Sequence, residues 1–188
     1  MFCIRTLLAM LFLLPLSVAF AADWQYAGIV GRDKASFFDA ADIQYPDKDT
    51  VRLWVKDIAE KTIWGYFKSR DGDQIMDESA RKIASGYTPE FLKLESARRM
   101  LPADFKMQDA LATMVSDEII ANKAGVPSVT STYFEIDCRG RRIAPLTVIK
   151  YRKNGSIAKS QTPQQAKYFY IVPDSSGDWL AMLVCPRS

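Results

Sequence analysis

Tyr133-Phe134-Glu135-Ile136-Asp137-Cys138 is the stretch on which the fold turns. It alternates apolar and polar side chains with the period of a half-buried strand, so Phe134 and Ile136 share a face with Cys138 and the sulfur is expected to point inward. Toward the C-terminus, Arg139-Gly140-Arg141-Arg142 predicts a turn into a strand over Ile143–Tyr151. Asn154-Gly155 is a strong hairpin signal into Ser156–Ser160. Pro145 must then sit at a bulge, a strand start or an edge, because it cannot donate to a ladder. Tyr168–Val172 fits an edge strand, and Ser175 or Ser176 caps a short helix carrying Trp179, Leu180, Leu183 and Val184, with Cys185 in its last turn.

In the other direction, three strands with short links are expected over Trp24–Val30, Ala35–Asp39 and Val51–Ile58, with turns at Gly31-Arg32-Asp33-Lys34 and Pro46-Asp47-Lys48-Asp49. Val51, Leu53 and Val55 face one side of the third strand, and Arg52, Trp54 and Lys56 the other. The period becomes helical from about residue 59 to 127. Asp77–Ser85 reads as one short helix. Thr88-Pro89-Glu90 opens a second that carries Phe91, Leu92, Leu94 and Leu101 and stops at Pro102. A third runs from about Lys106 with Met107, Ala110, Leu111, Met114 and Val115 on one stripe, ending near Gly125 and Pro127. The expectation is one α+β domain over 22–188. It has a mainly antiparallel sheet, a helical insert (about 59–127) between strands three and four, and a C-terminal helix tied back by a disulfide.

The disulfide expectation comes from the first 21 residues. Arg5, the apolar run Leu7–Leu16 and Ala19-Phe20-Ala21 form a secretory leader pattern, with cleavage between Ala21 and Ala22. Export to the periplasm, cell surface or medium is the expectation, and a retained anchor is the weaker reading because the apolar run is short and Asp23 follows at once. No later apolar run is long enough to span a bilayer. In an oxidising compartment the two remaining cysteines, Cys138 and Cys185, are expected to pair, stabilising the fold by about 4 kcal/mol in the chain-entropy model.

The chain contains no histidine, which removes imidazole base catalysis and His-ligated metals. A bonded cysteine pair leaves no thiolate nucleophile. Asp71-Gly72-Asp73 with Asp77 and Glu78 resembles a calcium loop, but Ile75 and Met76 stand where an EF-hand needs an oxygen ligand and a glycine. An acidic turn before a helix explains them. Ser156-Ile157-Ala158-Lys159 has Ser-x-x-Lys spacing, yet on a strand residues three apart point to opposite faces. No catalytic pair, cofactor-binding residue or metal set is singled out.

Net charge is +3, with acids slightly in excess before residue 128 and bases outnumbering acids about twofold after it. Arg139, Arg141 and Arg142 form one cluster, and Lys150, Arg152 and Lys153 another, roughly 26 Å of extended chain away. Such charges either only solvate a turn or form an anion-binding surface for an acidic polysaccharide or lipid headgroups. Trp24, Tyr26, Phe37, Phe38, Trp54, Tyr133 and Tyr151 fall on predicted strands, where aromatics serve as core, cross-strand pairs or a stacking platform for sugars. Export makes nucleic acid an unsuitable partner.

Trp24-Gln25-Tyr26-Ala27-Gly28, Ser36-Phe37-Phe38-Asp39-Ala40, Val51-Arg52-Leu53-Trp54, Phe134 to Cys138 with Arg141 and Ile143, and Ile171 to Ser175 through Leu183-Val184-Cys185 resemble the bacterial surface-adhesin E family. The resemblance covers 22–58 and 128–188. It implies a small exported domain whose terminal helix is tied to a strand by one disulfide, and binding at the cell surface. Members pass from the third to the fourth strand by a short link, where this chain has its helical insert, and the resemblance transfers no site residues. The expected function is an exported, non-catalytic binding protein of the bacterial envelope or cell surface. The alternatives are a periplasmic hydrolase using Asp or Glu, and an envelope inhibitor or assembly factor.

Overall fold

The computed structural model describes residues 22–31, 33–69, 71–86 and 107–186. The leader pattern with Ala21, and the helix expected from Thr88 to Pro102 with Leu92 and Leu94, lie outside them. The elements in chain order are β1 (Trp24–Val30), β2 (Lys34–Asp39), a 3-10 turn (Ala40–Asp42), β3 (Gln44–Asp47), β4 (Thr50–Ala59), α1 (Glu60–Phe67), α2 (Gly72–Gly86), α3 (Met107–Asn122), β5 (Thr130–Asp137), β6 (Arg142–Tyr151), β7 (Ile157–Gln161), β8 (Phe169–Tyr170) and α4 (Ser176–Val184). All pairings are antiparallel, in the order β1-β2-β4-β5-β6-β7. β3 extends the β2 side of β4, and β8 extends the β7 side of β6. The fold is α+β, and the helical insert lies between its third and fourth long strands.

Both faces of β4 are covered, each at a different end. Val51, Leu53 and Val55 join Ala27, Phe38 and Ile136 under α4, which contributes Leu180, Ala181 and Val184. Cys138 and Cys185 are bonded at the edge of this cluster, with Cα atoms 5.7 Å apart, so the inward phase of Cys138 is realised. Ser175 caps α4 by accepting from Asp178 N at 3.3 Å. On the opposite face, Ala35, Phe37 and Ile58 pack with Ile63 of α1, Ile75 of α2 and Val115, Ile119 and Ile120 of α3. Full burial of a side chain of this size contributes about 1.5–3 kcal/mol. The described helices of the insert therefore pack on the sheet, and the described residues form three layers.

Two local readings change. The expected helix from Asp77 begins instead at Gly72: Ile75 is buried and donates its N–H to Asp71 O at 2.9 Å, which draws the acidic turn into the first helical turn. The turn expected from Pro46 starts at Lys48, because Pro46 lies on the exposed short strand β3, where its missing donor costs no ladder bond. α1 follows β4 without a break. Its N-cap, Ala59, is extended and supplies no capping side chain.

Irregularities fall where the residues demand them. Tyr133 pairs with Thr147 and Phe134 with Pro145, leaving Leu146 as the extra residue of a bulge beside the proline. Gly28 has φ +129 at the β1 bulge and Gly155 has φ +79 in the β6–β7 turn, conformations open to glycine at little cost. At the outer edge of β1, Trp24 N donates to Asn122 Oδ1 at 2.9 Å, Asn122 Nδ2 returns a bond to Trp24 O, and Tyr26 N donates to Glu118 Oε1 at 3.0 Å. The final turns of α3 thus occupy backbone groups that an edge strand would otherwise leave open.

Candidate anion-binding cleft

The six predicted basic residues fall at opposite ends of β6, and the two clusters have different surroundings. In the β5–β6 turn, Arg141 pairs with Asp178, and Arg142 pairs with Asp137 while lying 5.3 Å from the Tyr168 ring centroid. The Arg142 guanidinium, together with Gly140 N at 2.7 Å, holds the Asp137 carboxyl below its usual range. Arg139 is exposed. Two of these three charges therefore serve to hold the turn.

The second cluster opens onto a cleft of about 740 Å³. Arg152 and Lys153 form one wall, and Lys34 and Lys61 complete a cationic lining that faces two acids, Asp33 and Glu60. Lys150 is exposed on β6 nearby but does not line it. Trp64 and Tyr151 supply aromatic surface, and Trp64 is 61% exposed. The cleft exists because the β1–β2 turn meets the start of α1, where Glu60 N donates to Asp33 O at 2.9 Å. The β6–β7 hairpin forms its far side. Arg152 is oriented there by donating to Ile157 O at 2.6 Å, and Tyr151 N donates to Val129 O at 3.0 Å. Among the described residues, Lys34, Lys61 and Lys153 have no carboxylate partner. Unpaired cations around a concavity sum their fields and raise the local concentration of anions.

Lys34, Lys61 and Trp64 belong to no basic cluster in the sequence. Their only signal is Lys61 and Trp64 three apart on one helical face, which says nothing of the hairpin they meet.

The exposed half of the sheet carries a second polar group. Arg52 donates to Glu135 at 2.6 Å, Tyr168 OH also donates to Glu135, and Trp54 packs on Tyr133 with centroids 5.1 Å apart. Tyr133 OH donates to Gln44 Oε1 at 3.0 Å. Glu135 and Asp137 lie two apart on one face of β5, each held by an arginine. Asp137 is thereby kept ionised, unsuited to the proton donor that hydrolysis of a glycosidic bond requires. Of the other aromatics, Phe37 and Phe38 are core.

Asp71 of the calcium-like stretch pairs with Lys123 at 2.8 Å. Among the described residues, no group of three or more carboxylates or cysteines is placed to hold a metal, and no helix is long and apolar enough to cross a membrane. No family model, no curated protein and no solved structure matches the chain.

Proposed function

We propose that this is an exported, non-catalytic binding protein of the bacterial envelope or cell surface that engages an anionic partner through the cleft between α1 and the β6–β7 hairpin. The observation that carries the reading is the convergence of Lys34, Lys61, Arg152 and Lys153 with two rings, Trp64 and Tyr151, around one concavity. The leader pattern over residues 1–21 and the bonded cysteine pair support export. The resemblance to the surface-adhesin E family, in the strands and in the disulfide-tied helix, supports an adhesin-like role. Acidic polysaccharides and anionic headgroups both present the negative charge that this lining attracts.

Retention on an immobilised polyuronate, measured across a salt series, tests the binding. The double variant Lys61→Glu/Lys153→Glu should elute at markedly lower salt than the unmodified protein. Equal retention of the two proteins, or retention indifferent to salt between low and physiological strength, overturns the reading. Export is tested by fusing residues 1–21 to a reporter active only outside the cytoplasm.

A further inference from the structure

The cationic cleft shares a wall with an apolar cavity of about 450 Å³ lying among β1, α1, α2 and α3. Trp64 and Glu60 line both spaces. Beyond Trp64 the cavity is walled by Ile29, Ile63, Phe67, Met76 and Ala112. Three of these side chains stand open to solvent although they are large and apolar: Ile29 is 57% exposed, Trp64 61% and Met76 48%. They come from β1, α1 and α2, so chain folding gathers them rather than local sequence. A gathered apolar concavity of this size is characteristic of a ligand site and not of scattered surface hydrophobes.

We infer that the two spaces act together, taking a single anionic amphiphile with its charged head in the cleft and its hydrocarbon tail in the cavity. This rests on the anion-binding reading of the cleft and narrows it. A wholly hydrophilic polyanion would meet Lys34, Lys61, Arg152 and Lys153 but leave Ile29 and Met76 exposed to water. A neutral hydrocarbon would leave the cations unused. Glu60, at the junction, repels an anion and so directs the head toward the Lys61 and Lys153 side. The remaining polar groups of the cavity wall do not seek an anion. Asp117 is buried, and Ser116 Oγ lies 3.9 Å from the Met76 sulfur.

The test is calorimetric titration of the protein with inorganic phosphate and with butyl, octyl and dodecyl phosphate, each below its micellar concentration. Affinity should climb with chain length, by about threefold to fourfold per buried methylene, until the cavity is filled. Met76→Asp and Ile29→Asp, both at exposed positions, should cancel the climb, and thermal melts establish that each variant is folded. Lys61→Glu/Lys153→Glu should weaken every phosphate by a similar factor. Equal affinity for all chain lengths overturns the amphiphile inference while leaving the cleft reading intact. Absence of binding by any phosphate, together with unchanged polyuronate retention by the charge-reversed variant, overturns both. Tighter binding of dodecyltrimethylammonium than of dodecyl phosphate overturns the assignment of the head. Co-sedimentation with phosphatidylglycerol vesicles without binding of the monomeric phosphates places the partner in the bilayer surface and overturns it as well.

Discussion

Arg141, at the end of the β5–β6 turn, pairs with Asp178 in the first turn of α4, while Cys138, at the start of the same turn, is bonded to Cys185 at that helix's far end. One four-residue turn thus holds the nine-residue helix at both ends. Asp178 is buried and also accepts from Asp174 N at 2.9 Å, so removing the guanidinium leaves a carboxylate short of partners. Arg141→Ala should cost about 1–2 kcal/mol by urea denaturation, toward the lower end because the arginine is itself exposed. Cys138→Ser/Cys185→Ser should cost about 2–4 kcal/mol. Arg139→Ala in the same turn should change stability by less than about 0.5 kcal/mol.

Charge reversal separates the two ends of β6. Arg141→Glu/Arg142→Glu should lower thermal stability and leave polyanion retention nearly unchanged, because both arginines already hold carboxylates. Lys61→Glu/Lys153→Glu should do the opposite. Parallel melts and salt elution of the two variants check it.

Lys56 supplies a pH signature. It is only 7% exposed, its Nζ donates to Ala121 O at 2.6 Å and lies 4.1 Å from the Trp24 ring centroid, yet burial outweighs these contacts and the attraction of Asp39, lowering its pKa to about 8. The folded state therefore binds fewer protons at this site than the unfolded chain does between pH 8 and the ordinary lysine value of 10.5. Its contribution to stability should rise with pH across that interval. Above about pH 10 Tyr133 and Tyr168, both held above the ordinary tyrosine value, act in the reverse sense. Denaturation of wild type and Lys56→Met at pH 7, 8, 9 and 10 should show wild type gaining relative to the variant from 8 to 10.

The insert is held by its innermost side chains. Ile120 has no exposed surface and packs in the cluster that joins α3 to β2 and β4. Ile120→Ala should destabilise the protein by about 2–4 kcal/mol in urea unfolding. Cleavage within the insert should accelerate in the variant under limited proteolysis.

What could be read from the sequence was whatever short-range chemistry decides. The phase of Cys138 and the Asn154-Gly155 turn each depend on a few neighbouring residues, and the same short-range chemistry narrowed the α4 cap to Ser175 or Ser176 and Pro145 to a bulge, a strand start or an edge. The start of α1 at Glu60 was legible only as the change from strand to helical period, since Ala59 offers neither a capping side chain nor a breaker. The cleft was half legible: Arg152 and Lys153 announce themselves as a cluster, whereas Lys34 and Lys61 reach it only through the meeting of the β1–β2 turn with α1. Nor could spacing reveal that Asp178, 37 residues away, holds Arg141.

The sealing of β1 gives the sheet a direction of growth. Asn122 and Glu118 occupy its first residues and the Gly28 bulge distorts the rest, while β7 ends the strand order with its outer side unpaired among the described residues. Among the described residues, β7 offers an added strand the open edge that the start of β1 does not. Two copies joining β7 to β7 would exhaust each other's open edge and close as a two-fold pair, whereas a sheet open at both sides could extend without limit into a fibre.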